Sequence, residues 1–132
     1  MRKYKILKFN EGKSNKTPFK KLEIDGFTVY YGKSADANDY VTFEIADDND
    51  IWMHAKGVPG SHVLIKVYDQ IPEKDIIIQC AQIAAENSKA PSKSELEVVY
   101  CKKRFVFKKE GMNPGQVGVD YKNSETIKVN KK

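Results

Sequence analysis

Apolar and polar positions alternate with a period of two over several short stretches of this chain, and with a helical period over one long stretch. Leu22 and Ile24 before Asp25-Gly26, and Phe27, Val29 and Tyr31 after it, read as a half-buried hairpin. Asp-Gly supports that turn because it tolerates positive φ. Residues 51–55 and 63–68 read as strands on either side of a polar loop, and residues 96–101 as a third clear strand. Residues 116–121 and 126–129 read as a last strand pair joined by Lys-Asn-Ser-Glu. Residues 32–39 are a polar connection, and the apolar positions of residues 40–46 fit a strand and a short helix alike. Residues 72–89 are the best helix: Ile76, Cys80, Ile83, Ala84 and Asn87 share one face, with Ile77 and Ala81 beside it. Pro72 suits a first turn, Glu73 and Asp75 complement the N-terminal end of the dipole, and Lys89 the C-terminal end. Strands outweigh helix and the helix interrupts them without alternating. The expected fold is therefore α+β, a mainly antiparallel sheet with one long helix packed on it.

A chain of 132 residues with 40% hydrophobic and 31% charged residues is one ordinary globular domain. Its apolar runs stop far short of the ~20 residues of a membrane span. The lysine-rich N-terminus lacks the apolar core of a signal peptide, so the expected location is the cytoplasm. Cys80 and Cys101 share no short spacing and read as two reduced thiols, Cys80 as a small core residue.

Charge is segregated. Residues 1–21 carry eight Lys+Arg and one acid, a formal +7; residues 22–88 carry four and twelve, −8; residues 89–132 carry eleven and five, +6. Basic surfaces favour polyanions, since each neutralised phosphate releases counterions, but lysine-rich termini also serve solubility alone. Residues 1–19 read as a basic N-terminal arm or an extra strand, residues 20–132 as the domain proper.

The rare side chains concentrate in one stretch, Asp50-Ile-Trp-Met-His54-Ala-Lys56-Gly-Val-Pro59-Gly60-Ser61-His62-Val. Trp52, in an alternating strand, reads as core. His54, His62 and Asp50 are candidate ligands, but a zinc or iron site needs three or four that converge, and no HxxxH or HExxH pattern or further residue nearby completes the set. Ser61 and His62 are adjacent, so on extended backbone they point to opposite faces, whereas Ser61 with His54 is geometrically open. No GxSxG elbow is present, and Gly32-Lys33-Ser34 lacks the upstream glycine of a phosphate-binding loop. Gly57, Pro59, Gly60 and Ser61 form either a tight strand connection or a nest of N–H groups for phosphate, to which Lys56 adds charge. The run Lys102-Lys103-Arg104-Phe105-Val-Phe107-Lys108-Lys109 interleaves five cations with two aromatics. It reads as a phosphate-contacting strand with stacking, or as a charged edge that guards against aggregation.

Together these segments resemble the NFACT-R family, whose members carry a "DIWxHAK…PGSHV" segment. Gly32-Lys33 with Asn38-Asp39 is similar to the family's "GRN…ND" element, and Cys80 to Ala85 with Ser88-Lys89 to its "AAxLAAxxSK" helix. Val98-Val99-Tyr100, Asn113-Pro114-Gly115 with Val117, and Thr126 to Val129 match its closing strands. The chain departs from the pattern in its lysine-rich first 21 residues and at Lys33, where the family's arginine would grip phosphate bidentately.

The resemblance implies RNA binding. In longer relatives this domain is one part of ribosome quality-control factors, once called fibronectin-binding proteins, which act on obstructed large ribosomal subunits with tRNA. Their further domains do not fit in 132 residues, so a stand-alone member or an excised domain is expected, without tail synthesis of its own. The leading expectation is a non-enzymatic binder of structured RNA, tRNA or rRNA, the large ribosomal subunit included, with no cofactor, no metal and no catalytic residue. The contacts expected are Lys33, His54, Lys56, Ser61, His62, Lys102, Lys103, Arg104, Lys108 and Lys109. The rivals are a metal- or histidine-dependent hydrolase or nuclease, a ribosome-docking protein module, and a DNA binder.

Overall fold

The computed structural model describes residues 18–132. The basic arm expected over residues 1–19 lies almost wholly outside the described residues. The domain is built on a six-stranded sheet. Its strands are β1 (Phe19–Ile24), β2 (Phe27–Gly32), β3 (Ile51–Ala55), β4 (Val63–Lys66), β5 (Glu95–Lys102) and β8 (Glu125–Asn130). They lie in the order β1-β2-β4-β3-β5-β8, every neighbouring pair antiparallel. A two-stranded ribbon, β6 (Val106–Phe107) with β7 (Gly118–Val119), stands apart. The α+β architecture expected from the sequence is the one observed.

The hairpin turns at Asp25 and Gly26, whose φ of 48° and 89° are both positive. Helix α2 (Lys74–Glu86) packs on one face of the sheet. Ile76, Ile77, Cys80, Ala81, Ala84 and Ala85 are buried there against Val29, Met53, Ala55, Val63, Ile65 and Val98. The small residues of its second half let the helix lie close to the strands. Pro72 lies outside this helix, which begins after Glu73. Cys80 is fully buried, and burial pushes its thiol pKa up to about 12.

The opposite face of the sheet carries Tyr30, Leu64, Trp52, Val99 and Cys101. Three local expectations are corrected (the polar connection over residues 32–39, the last strand pair, and the basic run as one strand), and the open choice over residues 40–46 falls to helix. Residues 35–45 are helical: α1 (Ala35–Tyr40) continues through the wide turns of Val41–Ile45, where the Ala46 N–H reaches back five residues to the Val41 carbonyl at 3.1 Å. Ser34 caps this helix by accepting from the Ala37 N–H at 3.1 Å, and Ala37, Val41 and Ile45, four residues apart, seal the sheet.

The last two strands do not pair with each other. β8 adds to the edge of β5, where Ile127 and Val129 reach the α2 core, while Gly118 packs on the Phe107 ring and pairs into the ribbon. The run from Lys102 to Lys109 is not one strand. The Lys103 and Arg104 N–H groups donate to the Asp50 and Asp48 carbonyls at 2.8 and 3.1 Å. That turns the chain through a single tight turn, Lys103–Phe105, so the cations do not share a face.

Candidate nucleic-acid interface

Side chains alternate across a strand, so Trp52 and His54 point together away from α2. His62, one residue before β4, joins them. The His54 ring lies 6.1 Å from Trp52, stacked at 25°, and 5.1 Å from His62, edge-on at 82°; His62 in turn meets Trp52 edge-on at 5.1 Å. Thr42, in the wide helical turns, binds both partners. Its Oγ1 accepts from Trp52 Nε1–H at 3.0 Å and lies 2.9 Å from His62 Nδ1. With one lone pair engaged by the indole, the hydroxyl proton is free to point at Nδ1. That leaves the ring proton on Nε2, for the Gly115 backbone. Burial, with the nearby His54 adding to it, lowers the His62 pKa to about 3. His62 is neutral at physiological pH.

The loop between β3 and β4 is tied down from three sides. Asn38 of α1 donates to the Gly60 carbonyl at 3.1 Å and accepts from the His62 N–H at 2.9 Å. The Ser61 hydroxyl donates to the Gly32 carbonyl. Beyond α2, the Lys89 N–H donates to the Pro59 carbonyl at 2.8 Å, and the Ser61 N–H reaches the Asn87 carbonyl at 3.3 Å. Gly32 is where α1 comes closest: a Cβ there would lie 2.7 Å from the Asn38 nitrogen. Gly32→Ala is therefore expected to displace Asn38 and lower the unfolding free energy by ~1–3 kcal/mol, read as the urea midpoint. An unchanged midpoint would show that Asn38 moves freely.

These ties leave an open cleft of ≈ 410 Å3, with His54 on its floor and Pro59-Gly60 and Pro114-Gly115 among its walls. Lys33 and Lys89, both exposed, stand on its rim, and no Asp or Glu lines it. Burial lowers the His54 pKa, opposed in part by the Gly60 backbone.

The residues expected as contacts fall into separate groups. Lys33 and His54 border the cleft. Ser61 touches it but is buried, and His62 is only 1% exposed. Direct contact by the Ser61 hydroxyl and the His62 ring is corrected to a supporting role, because their polar atoms are engaged inside the protein. The same engagement takes Ser61 out of reach as a partner for His54. Lys108 is also corrected: its Nζ bonds Asp39 at 2.9 Å and the Asn113 and Gln116 carbonyls at 2.7 and 2.9 Å, pinning the loop that carries Gly115.

Lys56 is exposed beside Glu97, at 3.7 Å, and over the Tyr121 ring. Lys102 pairs with Ile51 at the far end of β3, about 10 Å along the strand from His54. Lys103 sits over Phe43 and Arg104 holds Asn49, while Lys109 lies over Phe107. Lys102–Arg104 and the cleft are thus two surfaces, not one. Among the described residues no three His, Cys, Asp or Glu side chains converge on a point.

Asn38 and Lys89 entered the sequence reading within the family segments, not as site residues, and Thr42, which supports the cleft through Trp52 and His62, was not singled out. Asn38 sat in the polar connection, where the Ser34 cap followed by Ala37, Val41 and Ile45 was the available signal for a helix. Lys89 also read as a dipole partner. Thr42 carried no signal, since its role depends on Trp52 and His62 arriving from another strand and loop.

Comparison with known proteins agrees with this geometry. Two relatives, each named Rqc2 homolog RqcH, are 42% identical over 72% of this chain (Bacillus subtilis strain 168) and 34% identical over 85% (Streptococcus suis strain 05ZYH33). The chain spans only 16% and 20% of their lengths. The solved C-terminal structure of the fibronectin/fibrinogen-binding protein of Streptococcus suis superposes with a TM-score of 0.77 at 31% identity. That alignment covers 87% of this chain and 45% of the solved one. The NFACT protein RNA binding domain matches residues 17–121, a span that includes the cleft and most of the sheet that holds it, and the chain belongs to that family.

Proposed function

We propose that this domain binds structured RNA, tRNA or ribosomal RNA, in translation or ribosome quality control in the cytoplasm, as a binding module and not an enzyme. One observation carries the reading: the His54–His62 segment typical of the family floors an open cleft whose rim cations reach solvent. The engaged Ser61 hydroxyl and the buried His62, its Nδ1 held by Thr42 and its pKa pushed down to about 3, support binding over hydrolysis through this pair, since the hydroxyl is tied to the Gly32 carbonyl and the ring is inaccessible and a weak base. Lys102, Lys103, Arg104 and Lys109, spread over more than one face outside the cleft, add further phosphate contacts.

A salt titration of tRNA and rRNA-fragment binding tests this. The logarithm of affinity is expected to fall linearly with that of salt concentration, the slope diminishing by about one for each phosphate-contacting cation removed. The triple variant Lys102→Glu, Lys103→Glu, Arg104→Glu is expected to weaken binding to all RNAs alike. Affinity indifferent to salt would overturn the reading, as would equal affinity for DNA of the same sequence. Ribosome association that survives RNase would point to protein docking, and cleavage of the RNA to an enzyme.

A further inference from the structure

The cleft has the features of a pocket for a flat, polar-edged ring carrying an anion. Its ≈ 410 Å3 falls within the roughly 300–1,000 Å3 of small-ligand pockets. His54 lines it, and the imidazole packs against Trp52 at 6.1 Å and His62 at 5.1 Å on its protein side. Two of its walls are proline-glycine backbone, and both are locked. A Cβ at Gly60 would meet the Ser88 Cα at 3.0 Å, and one at Gly115, where φ is +81°, the Ala35 Cα at 3.1 Å. Pro59 and Pro114, exposed at the mouth, offer apolar faces. The rim carries two lysines and no acid, although the cleft lies mostly in the acidic middle segment, residues 22–88. Asp39, near the end of α1, is held by Lys108 at 2.9 Å.

We propose that this cleft receives one unstacked nucleotide of the bound RNA, its base against the His54 ring and its phosphate drawn to Lys33 and Lys89. The proposal rests on the RNA-binding reading above and narrows it. A base inside a duplex shows only its edge in a groove and cannot enter a concave pocket, so the nucleotide comes from a loop, a bulge or an end. Stacking on a protein ring is tolerant of base identity because every base has a π-face. Burial disfavours the charged form of the His54 ring. The lysines act as point charges on the phosphate.

The test uses the full chain and small probes: adenosine, cytidine, guanosine and uridine 5′-monophosphates, with ribose 5-phosphate as the probe that lacks a base. NMR titration is expected to show saturable shifts at His54, Gly60 and Gly115 for the nucleotides, and affinity for ribose 5-phosphate at least about tenfold weaker. Lys89→Ala, a change on the exposed rim, is expected to weaken nucleotide binding several-fold with the spectrum otherwise unchanged. His54→Ala is expected to weaken it about tenfold, and His54→Phe to restore stacking. Equal binding of ribose 5-phosphate would overturn the base pocket in favour of a bare phosphate site. Structured RNA binding without any nucleotide shift at the cleft would overturn the proposal and leave the RNA reading standing. Failure of both RNA and nucleotides would remove the reading on which it rests.

Discussion

Asp50→Ala is expected to lower the unfolding free energy by ~3–5 kcal/mol, the size of effect seen when one partner of a buried ion pair is removed. Lys66, at the end of β4, is 1% exposed, and its ammonium lies among the Asp50 carboxylate at 2.5 Å, Asp47 at 3.0 Å and the Ile45 carbonyl at 3.0 Å. Burial acts most strongly on this ammonium and lowers its pKa. The hydrogen bonds and charges of Asp50 and Asp47 together outweigh it, so the pKa is raised overall and Lys66 is charged in the folded protein.

Asp50 also accepts from the Val67 N–H at 3.1 Å and the Asp47 N–H at 2.8 Å. One carboxylate therefore satisfies an ammonium and two backbone donors where β3 begins and β4 ends. Removing it strands a cation with one partly exposed acid. Urea unfolding measures the loss, and the double variant Asp50→Ala, Lys66→Met is expected to recover part of it, because the stranded charge is then gone. A loss under about 1 kcal/mol for Asp50→Ala alone would show that water reaches Lys66.

Acidification is expected to destabilise the protein through His62 before the carboxylates titrate. In the unfolded chain this ring takes up a proton near pH 6.5; in the folded protein it does so only near pH 3. Between those values the unfolded state holds one more proton, so stability falls with pH by ~1.4 kcal/mol per unit. The contribution is complete above pH 6.5 and lost progressively on descent toward pH 3. From pH 6.5 to 4.5 the loss from His62 is ~2–3 kcal/mol, and His54, lowered by burial in the same direction, adds to it. Chemical denaturation at a series of pH values tests this. His62→Gln removes the titrating group and is expected to flatten the slope over that interval. An unchanged slope would assign the acid sensitivity elsewhere.

Local patterns were legible wherever one element's own spacing carried the information. The Asp25-Gly26 hairpin, the strands flanking the polar loop and the apolar face of α2 each follow from periodicity within a single segment. So does the burial of Trp52 and Cys80, placed among apolar neighbours. The family segment was also legible, because its residue order is specific. Residues 40–46 were ambiguous, since Tyr40, Val41, Phe43 and Ile45 fit both periods. The decisive observation, that Val41 and Ile45 continue from Ala37, depends on recognising Ser34 as a cap three residues before that apolar pattern starts.

The candidate site divides along the same line. Residue type and order sufficed to single out His54, the glycine-proline loop and the basic clusters, since charge, ring and turn chemistry belong to individual residues. Which of them face a ligand followed from contacts between distant segments. Ser61 is turned inward by the Gly32 carbonyl 29 positions away, and His62 by Thr42 20 positions away. Lys108 is drawn from the phosphate-contacting set by Asp39, 69 positions away, and Lys89 is brought to the rim by the Pro59 carbonyl. Such pairings satisfy buried polar groups across the fold, and no local propensity encodes them. The chain's own pattern thus specified the α+β sheet, its long helix and its family. The packing of loop, helix and strand divided the list of ten polar residues, left Lys33 and His54 at one small cleft, brought the unpredicted Lys89 to its rim, and set the remaining cations elsewhere.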